Sequence, residues 1–174
     1  PSSGTTGADG QAVSVTVNPG NLQPNTYSGT IRVTATRNGN PIDGSPKEVS
    51  ITMTVRPQVL DVTPASLSFT ADYGGGAPAS QAVTIRNSAN TGSFNWTAVA
   101  QGNPSWLSLS PSSGSAGPSG AALNVTVNPA GLASGSYSAV IRITASKNGI
   151  PIQASPKDVA VSFVVRPPGL TVSP

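Results

Sequence analysis

Apolar and polar residues alternate along most of this chain. The pattern is clear at Val13, Val15 and Val17, which are separated by Ser14 and Thr16. Successive side chains of a β-strand point to opposite faces of a sheet, so such a run predicts a strand with one buried face. No segment has helical spacing. The same alternation predicts further strands around Ile31, Val33 and Ala35; Val49, Ile51, Met53 and Val55; Leu60 and Val62; Leu67 and Phe69; Val83 and Ile85; Phe94, Trp96 and Ala98; Leu107 and Leu109; Leu123, Val125 and Val127; Ala139, Ile141 and Ile143; and Val159, Val161, Phe163 and Val165.

A long segment of the chain occurs twice. Residues 1–64 align without a gap to residues 111–174, and about half of the aligned positions are identical. The two copies lie 110 positions apart, since Val15 aligns with Val125. Internal similarity at a fixed spacing is the signature of repeated domains, and a repeat of about 110 residues has the size of an ordinary domain.

The strand pattern and the repeat together predict the fold class and the domain boundaries. About seven strands, with turns at intervals of roughly 8 to 12 residues, indicate a sandwich of two sheets. We therefore predict an all-β chain of immunoglobulin-like β-sandwich repeats in tandem. Residues 1–57 would be the later part of one repeat, residues 58–167 a complete repeat, and residues 168–174 the first strand of the next. The proline-rich connector at residues 166–169 predicts a semi-rigid rod.

Two local features refine this prediction. Leu60 and Leu67 lie on a strand that is interrupted at Pro64, which is typical of a sheet edge because proline cannot donate a ladder hydrogen bond. Tyr27 occupies the position of a tyrosine corner, in which the phenol hydroxyl donates a hydrogen bond to the backbone a few residues upstream. Such a corner would fix the chain where it passes between the sheets.

The second copy contains motifs that resemble a known family. They are WLSLSPSSG at residues 106–114, VTVNP at residues 125–129 and GSYS at residues 135–138. With these motifs the chain is similar to the BACON-type immunoglobulin-like modules of secreted bacterial proteins. The resemblance implies an extracellular or cell-surface array, of a kind often discussed as carbohydrate-associated. The chain departs from the compact pattern by a longer insertion between its last two strands, at residues 147–156.

The composition argues against several classes of function. Only 9% of the residues are charged, against roughly 25% in ordinary soluble domains, so uncharged polar residues must supply most of the surface. The 9 Lys and Arg residues are scattered, with a net charge of +3, and form no basic patch for nucleic acid. With no Cys and no His, the chain lacks thiolate and imidazole chemistry and the common transition-metal ligands. No apolar run reaches the roughly 20 residues of a membrane span.

The acidic residues predict neither catalysis nor a metal site. They are too widely spread for the paired acid and base of a glycosidase. The alternating Asp residues of a calcium loop are also absent. We therefore predict a protein that is not an enzyme and has no metal or cofactor. The six acidic residues are Asp9, Asp43, Glu48, Asp61, Asp72 and Asp158.

Three aromatic residues are candidates for contact with a ligand, and each has a structural alternative. Trp106 begins a short strand predicted over residues 106–109, and we interpret it as a core residue that points away from Leu107. Trp96 shares one strand face with Phe94, where a core position is again favoured. Tyr73 lies in a loop beside three glycines. Tyr73 and Trp96 are thus the possible ligand-facing aromatics.

Two functions of different class fit these observations. The favoured one is a non-catalytic structural repeat of a bacterial extracellular or cell-surface protein, which would self-associate or extend in tandem to build a semi-rigid rod or filament for adhesion or scaffolding. The alternative is a carbohydrate-binding module of a secreted bacterial protein. A sugar site of that kind would place two or more aromatic side chains on one exposed face, which the sequence does not clearly offer.

Residues 1–57 supply only the later strands of a sandwich, so we expect their apolar faces to lie bare. Exposed strand edges and apolar faces favour aggregation, so something must cover them. A neighbouring chain could donate residues 170–174 as a first strand. The simpler expectation is a longer polypeptide of tandem repeats, which continues upstream of Pro1 with a Trp about five residues before it, as Trp106 precedes Pro111.

Overall fold

The computed structural model describes residues 2–169, and within this range it contains strands and no helix. The all-β prediction is therefore confirmed. The chain divides into two compact units, Pro1–Arg56 and Pro57–Pro174, which we call the first and the second unit. The predicted first strand of a further repeat falls on residues 168–174, of which 170–174 lie outside the described residues.

The strands are numbered in chain order. The first unit contains β1 (Asn25–Val33), β2 (Thr36–Arg37), β3 (Asn40–Pro41) and β4 (Lys47–Val55). The second unit contains β5 (Leu60–Thr63), β6 (Ser66–Asp72), β7 (Gln81–Asn87), β8 (Phe94–Ala100), β9 (Leu107–Ser110), β10 (Ser113–Ala116), β11 (Ala121–Val127), β12 (Gly135–Lys147), β13 (Ile150–Pro151) and β14 (Lys157–Arg166).

The second unit is a sandwich of two sheets. One sheet has the order β10-β8-β12-β14-β6, with β13 paired to β12, and the other has the order β5-β7-β11-β9. The pairing of β6 with β14 is parallel. Because β5 and β6 are edge strands of different sheets, the segment interrupted at Pro64 is two strands rather than one. The predicted edge position is confirmed, and the interruption is the point where the chain changes sheet.

The inner faces of the two sheets form the core of the second unit. Alternate residues of each long strand face inward, as the period-two pattern predicted, and burial of each such side chain stabilises the fold by about 1.5 to 3 kcal/mol. The largest fully buried side chains are those of Trp96, Phe94, Phe163, Leu60, Ile85, Leu123, Ile141 and Ile143.

The first unit is a hairpin whose apolar face is only partly covered. β1 pairs antiparallel with β4, and β2 pairs with β3. None of the residues described in this unit is buried. Val33 is 48% exposed and Val49 is 53% exposed. Ile31, Ile51, Met53 and Val55 are half-buried, so the apolar faces of residues 2–57 lie bare only in part.

The predicted strand at Val13, Val15 and Val17 is wrong. Residues 13–17 have no strand structure, and the three valines are between 51% and 60% exposed. The aligned segment of the second unit, β11, is held as a strand by pairing with β7 and β9. Residues 1–56 contain no equivalents of those two strands, so the backbone of residues 13–17 has no ladder to join.

Both copies of the repeat form a tyrosine corner. The hydroxyl of Tyr27 donates a 2.9 Å hydrogen bond to the carbonyl oxygen of Gln23, and that of Tyr137 donates a 2.8 Å bond to the carbonyl oxygen of Ala133. Each tyrosine lies near the start of a long strand, β1 or β12, and its hydroxyl bonds to the backbone four residues upstream. The predicted corner at Tyr27 is therefore confirmed.

Trp106 is a core residue, as predicted, but its relation to Leu107 differs from the expectation. Both side chains are 8% exposed, so they do not point to opposite faces. β9 begins at Leu107, and Trp106 lies in the turn before it, where strand alternation does not apply. The Trp106 ring lies 5.6 Å from that of Phe163 and 6.2 Å from that of Tyr137, measured between centroids.

Candidate functional site

Trp96 lies inside the sandwich, on the inner face of β8. It is 2% exposed, and its partner across the sheet on β10 is Gly114. A Cβ at Gly114 would lie 3.2 Å from Cζ2 of the indole, so the glycine backbone covers the ring. The core interpretation of Trp96 is confirmed, and its suggested role as a ligand-facing aromatic is corrected, because no ring face reaches the surface.

Tyr73 lies at the surface, directly after β6. Its side chain is 54% exposed, and its N–H group donates a 2.9 Å hydrogen bond to the carbonyl oxygen of Arg166. A tight turn follows, closed by a 2.8 Å bond from the Gly75 N–H to the Asp72 carbonyl. Of the aromatic residues within 2–169, Tyr73 alone is exposed. A role for this side chain in binding stays a prediction.

The outer face of the six-stranded sheet carries a row of serines. Ser68, Ser162 and Ser138 are neighbours across β6, β14 and β12. The Oγ atoms of Ser162 and Ser68 form a 2.9 Å hydrogen bond. The row lines an open groove of about 620 Å³. The other residues that line the groove are Ser66, Leu67, Gln101, Gly102, Ala139, Val140, Ala160 and Val161.

The chemistry of this groove is that of hydroxyl groups beside small apolar side chains. A serine hydroxyl can both donate and accept a hydrogen bond, so the row could contact a polar ligand. None of the residues that line the groove is aromatic. Sequence reasoning missed the row because serine and threonine occupy outward positions in almost every strand, and only the register across three strands brings these serines together.

The carboxylates of the second unit are each paired with an arginine. Asp61 pairs with Arg86 at 2.6 Å, Asp72 with Arg166 at 2.8 Å, and Asp158 with Arg142 at 2.8 Å. The hydrogen bond from Arg142 holds the pKa of the Asp158 carboxyl below its usual value. Residues 2–169 contain no group of three or more acidic, histidine or cysteine side chains that could hold a metal ion.

Asn87 is a buried polar residue that the sequence analysis did not single out. It is 2% exposed, and its Oδ1 accepts hydrogen bonds from the N–H groups of Val59 and Ala89 at 3.0 and 3.1 Å. Its Nδ2 donates a 2.6 Å bond to the carbonyl oxygen of Thr91. The side chain therefore ties the start of the second unit to the turn at residues 88–93. Its role is structural, because these contacts use both ends of the amide within the fold.

The family of the chain follows from its second unit. A family model described as the viral BACON domain matches residues 59–155, which is more than half of the 174 residues. The chain belongs to the viral BACON domain family. The match begins one residue before β5 of the BACON domain and covers the serines of β6 and β12, the corner at Tyr137 and both tryptophans. The resemblance to BACON modules is thereby confirmed.

One solved structure of low sequence identity shares this fold, and a second matches it less well. The ASH / PapD-like domain of human CEP192 (PapD-like domain 7) has a TM-score of 0.52 and 15% identity, and the match covers 67% of this chain and 92% of that chain. A putative carbohydrate binding protein from Bacteroides ovatus has a TM-score of 0.49 and 12% identity, with 65% of this chain and 38% of that chain covered. At such identities a likeness shows the fold alone.

None of the curated proteins is significantly similar to the chain in sequence. Among residues 2–169, no helix of the length and apolar character needed to cross a membrane is found.

Proposed function

We propose that this chain is a non-catalytic structural module of a protein displayed outside the cell. The observation that carries the proposal is the placement of the aromatic side chains in the second unit. Trp96, Trp106 and Phe163 are buried, while the outer face of the larger sheet presents hydroxyl groups, short aliphatic side chains and two Arg–Asp ion pairs. Such a surface suits repeated display in water better than selective capture of a ligand, which uses a concave site with convergent polar groups.

The repeat supports a rod or filament as the larger structure. The two copies lie 110 positions apart, and the connector after β14 contains Pro167 and Pro168. Proline restricts the backbone and makes short connectors semi-rigid. The motifs suggest a bacterial surface as the setting, and membership of the viral BACON domain family adds the surface of a virus particle.

The direct test is to locate the chain on native particles. An antibody raised against residues 58–167 should label fibres or the outer surface of particles at regular intervals in electron micrographs. Pre-immune serum is the control. Label confined to the cytoplasm, or a native protein that remains a dispersed monomer, would contradict the proposal.

A second candidate function is the binding of a carbohydrate, and the serine row is the observation that favours it. The row and Tyr73 supply hydroxyl groups on the outer surface of the BACON domain. The structural proposal predicts no glycan bound more tightly than about 1 mM, which corresponds to roughly 4 kcal/mol. A reproducible micromolar signal on a glycan array would favour carbohydrate binding if Ser162→Val removes it. Ser113→Val, at an outward position of β10, is the matched control.

A further inference from the structure

We propose that the apolar face of the first unit is a docking surface for the first half of a BACON sandwich. The occupant would be a polypeptide segment with the strand pattern of residues 58–110, which comprise β5 to β9. The proposal concerns the first unit alone and does not depend on the proposed function.

The apolar positions of the first unit, six on the hairpin face and three in the segment before it, are the counterparts of core residues. Each of nine apolar positions in the first unit aligns with a position of the second unit that is no more than 2% exposed. In the first unit the same positions are half-buried or exposed. The aligned pairs are Val13 and Leu123, Val15 and Val125, Val17 and Val127, Ile31 and Ile141, Val33 and Ile143, Val49 and Val159, Ile51 and Val161, Met53 and Phe163, and Val55 and Val165.

The hairpin that carries the face already has the geometry of its counterpart. Its register runs from Asn25↔Val55 to Val33↔Lys47, which is the register of β12 and β14 shifted by 110 positions. In the first unit the Ala35 N–H donates a 2.9 Å hydrogen bond to Ser45 Oγ, and the aligned bond in the second unit, from Ala145 to Ser155, is 2.8 Å long. The face is thus preorganised, which lowers the cost of docking.

The second unit shows what covers such a face. There β6 pairs with β14, β8 pairs with β12, and the inner face of the four-stranded sheet lies opposite. Strands β6 and β8 belong to residues 58–110, and so do β5, β7 and β9 of the opposite sheet. The pattern of that segment is therefore the one that matches the edges and the apolar face of the first unit.

Charge also fits this occupant. In the second unit Arg166 ends β14 and pairs with Asp72 at the end of β6. Arg56 is the aligned residue after β4, and it takes part in none of the ion pairs found among residues 2–169. A docked strand with the sequence of β6 would place its Asp beside Arg56.

A second copy of the chain is the less suitable occupant. Its own residues 58–110 are already built into its second unit, where Leu67 and Phe69 are each 3% exposed. Donating them to a first unit would remove them from the core of the second unit that they already stabilise. Self-association through the bare faces of two first units is therefore an outcome of the test rather than the proposal.

The experiment adds the occupant to the whole chain. A second copy of residues 58–110 is fused in front of Pro1, so that residues 58–110 and 1–57 follow one another in the order of one repeat. Amide hydrogen exchange of residues 25–33 and 47–55 should slow about 100-fold relative to the chain without the extension. Binding of a fluorescent apolar dye should fall in parallel. Exchange of residues 135–147 and 157–166 should stay slow, which reports that the second unit is folded.

Matched variants separate docking from a non-specific effect. Leu67→Asp with Phe69→Asp in the added copy alone should abolish the protection. On the receiving side, Ile51→Asp should abolish it, whereas Ser50→Asp, whose counterpart Ala160 is exposed, should leave it unchanged. Equal protection with the charged extension would overturn the proposal. So would protection without any extension in a chain whose light-scattering mass is that of a dimer, or no protection at all.

Discussion

Gly114 lies directly against the indole of Trp96 on the neighbouring strand, where an added Cβ would be 3.2 Å from Cζ2 and 3.3 Å from Nε1. Because Trp96 is 2% exposed, the ring has little room to move away. We expect Gly114→Ala to lower the free energy of unfolding by about 1 to 3 kcal/mol, as overpacking in a core does. Urea unfolding followed by tryptophan fluorescence measures this value, since both tryptophans lie in the second unit.

The control for this substitution is Gly76→Ala. A Cβ at Gly76 would meet nothing within 4 Å, so its free energy of unfolding should change by less than about 0.5 kcal/mol. Equal effects of the two substitutions would show that the contact between Gly114 and Trp96 does not limit the packing.

Trp106 closes an aromatic cluster with Tyr137 and Phe163, and its removal should leave a cavity. We expect Trp106→Ala to lower the free energy of unfolding by about 3 to 5 kcal/mol. Tyr73→Ala is the comparison, because that side chain is 54% exposed and should contribute little. Trp96 remains as the fluorescent reporter in both variants. A neutral Trp106→Ala would mean that the indole is dispensable to the core.

The corner bond of Tyr137 offers a third test. Tyr137→Phe removes the 2.8 Å hydrogen bond to the Ala133 carbonyl and keeps the ring beside Trp106. We expect a loss of about 0.5 to 1.5 kcal/mol in the free energy of unfolding, the usual value of one such bond. The dependence on urea concentration should keep its slope, since the surface exposed on unfolding hardly changes. A loss as large as that of Trp106→Ala would indicate that the ring had moved.

The ion pair of Asp158 with Arg142 predicts a small dependence of stability on pH. Since the pKa of Asp158 is lowered in the folded state, its contribution is present above the unfolded pKa and is lost as the pH falls through the folded value. Below about pH 4 the melting temperature of the unmodified chain should therefore fall slightly more than that of Asp158→Asn. The difference should shrink in about 1 M salt, because the pair is exposed. An identical pH profile for both chains would contradict this expectation.

The period-two pattern predicted most of the fold because inward and outward residues alternate wherever a strand has partners. The same pattern failed at Val15, since alternation describes a face and does not supply the neighbouring strand that residues 13–17 need. It failed differently at Trp106, where a turn breaks the alternation before Leu107. The pattern also gave no sign of β10, whose sequence SGSA lacks alternating large apolar residues.

The candidate site was less accessible to sequence reasoning. An aromatic residue such as Trp96 looks the same in the sequence whether it is buried or exposed, and its burial depends on the glycine of another strand. The serine row depends on the register of Ser68, Ser162 and Ser138, which lie far apart in the chain. Contacts of this kind are fixed by the pairing of distant strands, which local patterns do not specify.

The parallel pairing of β6 with β14 determines how the BACON domain would bear tension. Seven residue pairs, from Ser66 beside Ala160 to Asp72 beside Arg166, join a strand near the beginning of the domain to the strand at its end. A pull that reaches Ser66 at the start of β6 and Arg166 at the end of β14 would draw these strands past each other lengthwise. The hydrogen bonds between them would then be loaded together in shear instead of breaking one after another. A fibre made of such domains would therefore extend under load only when all the hydrogen bonds of one ladder break together.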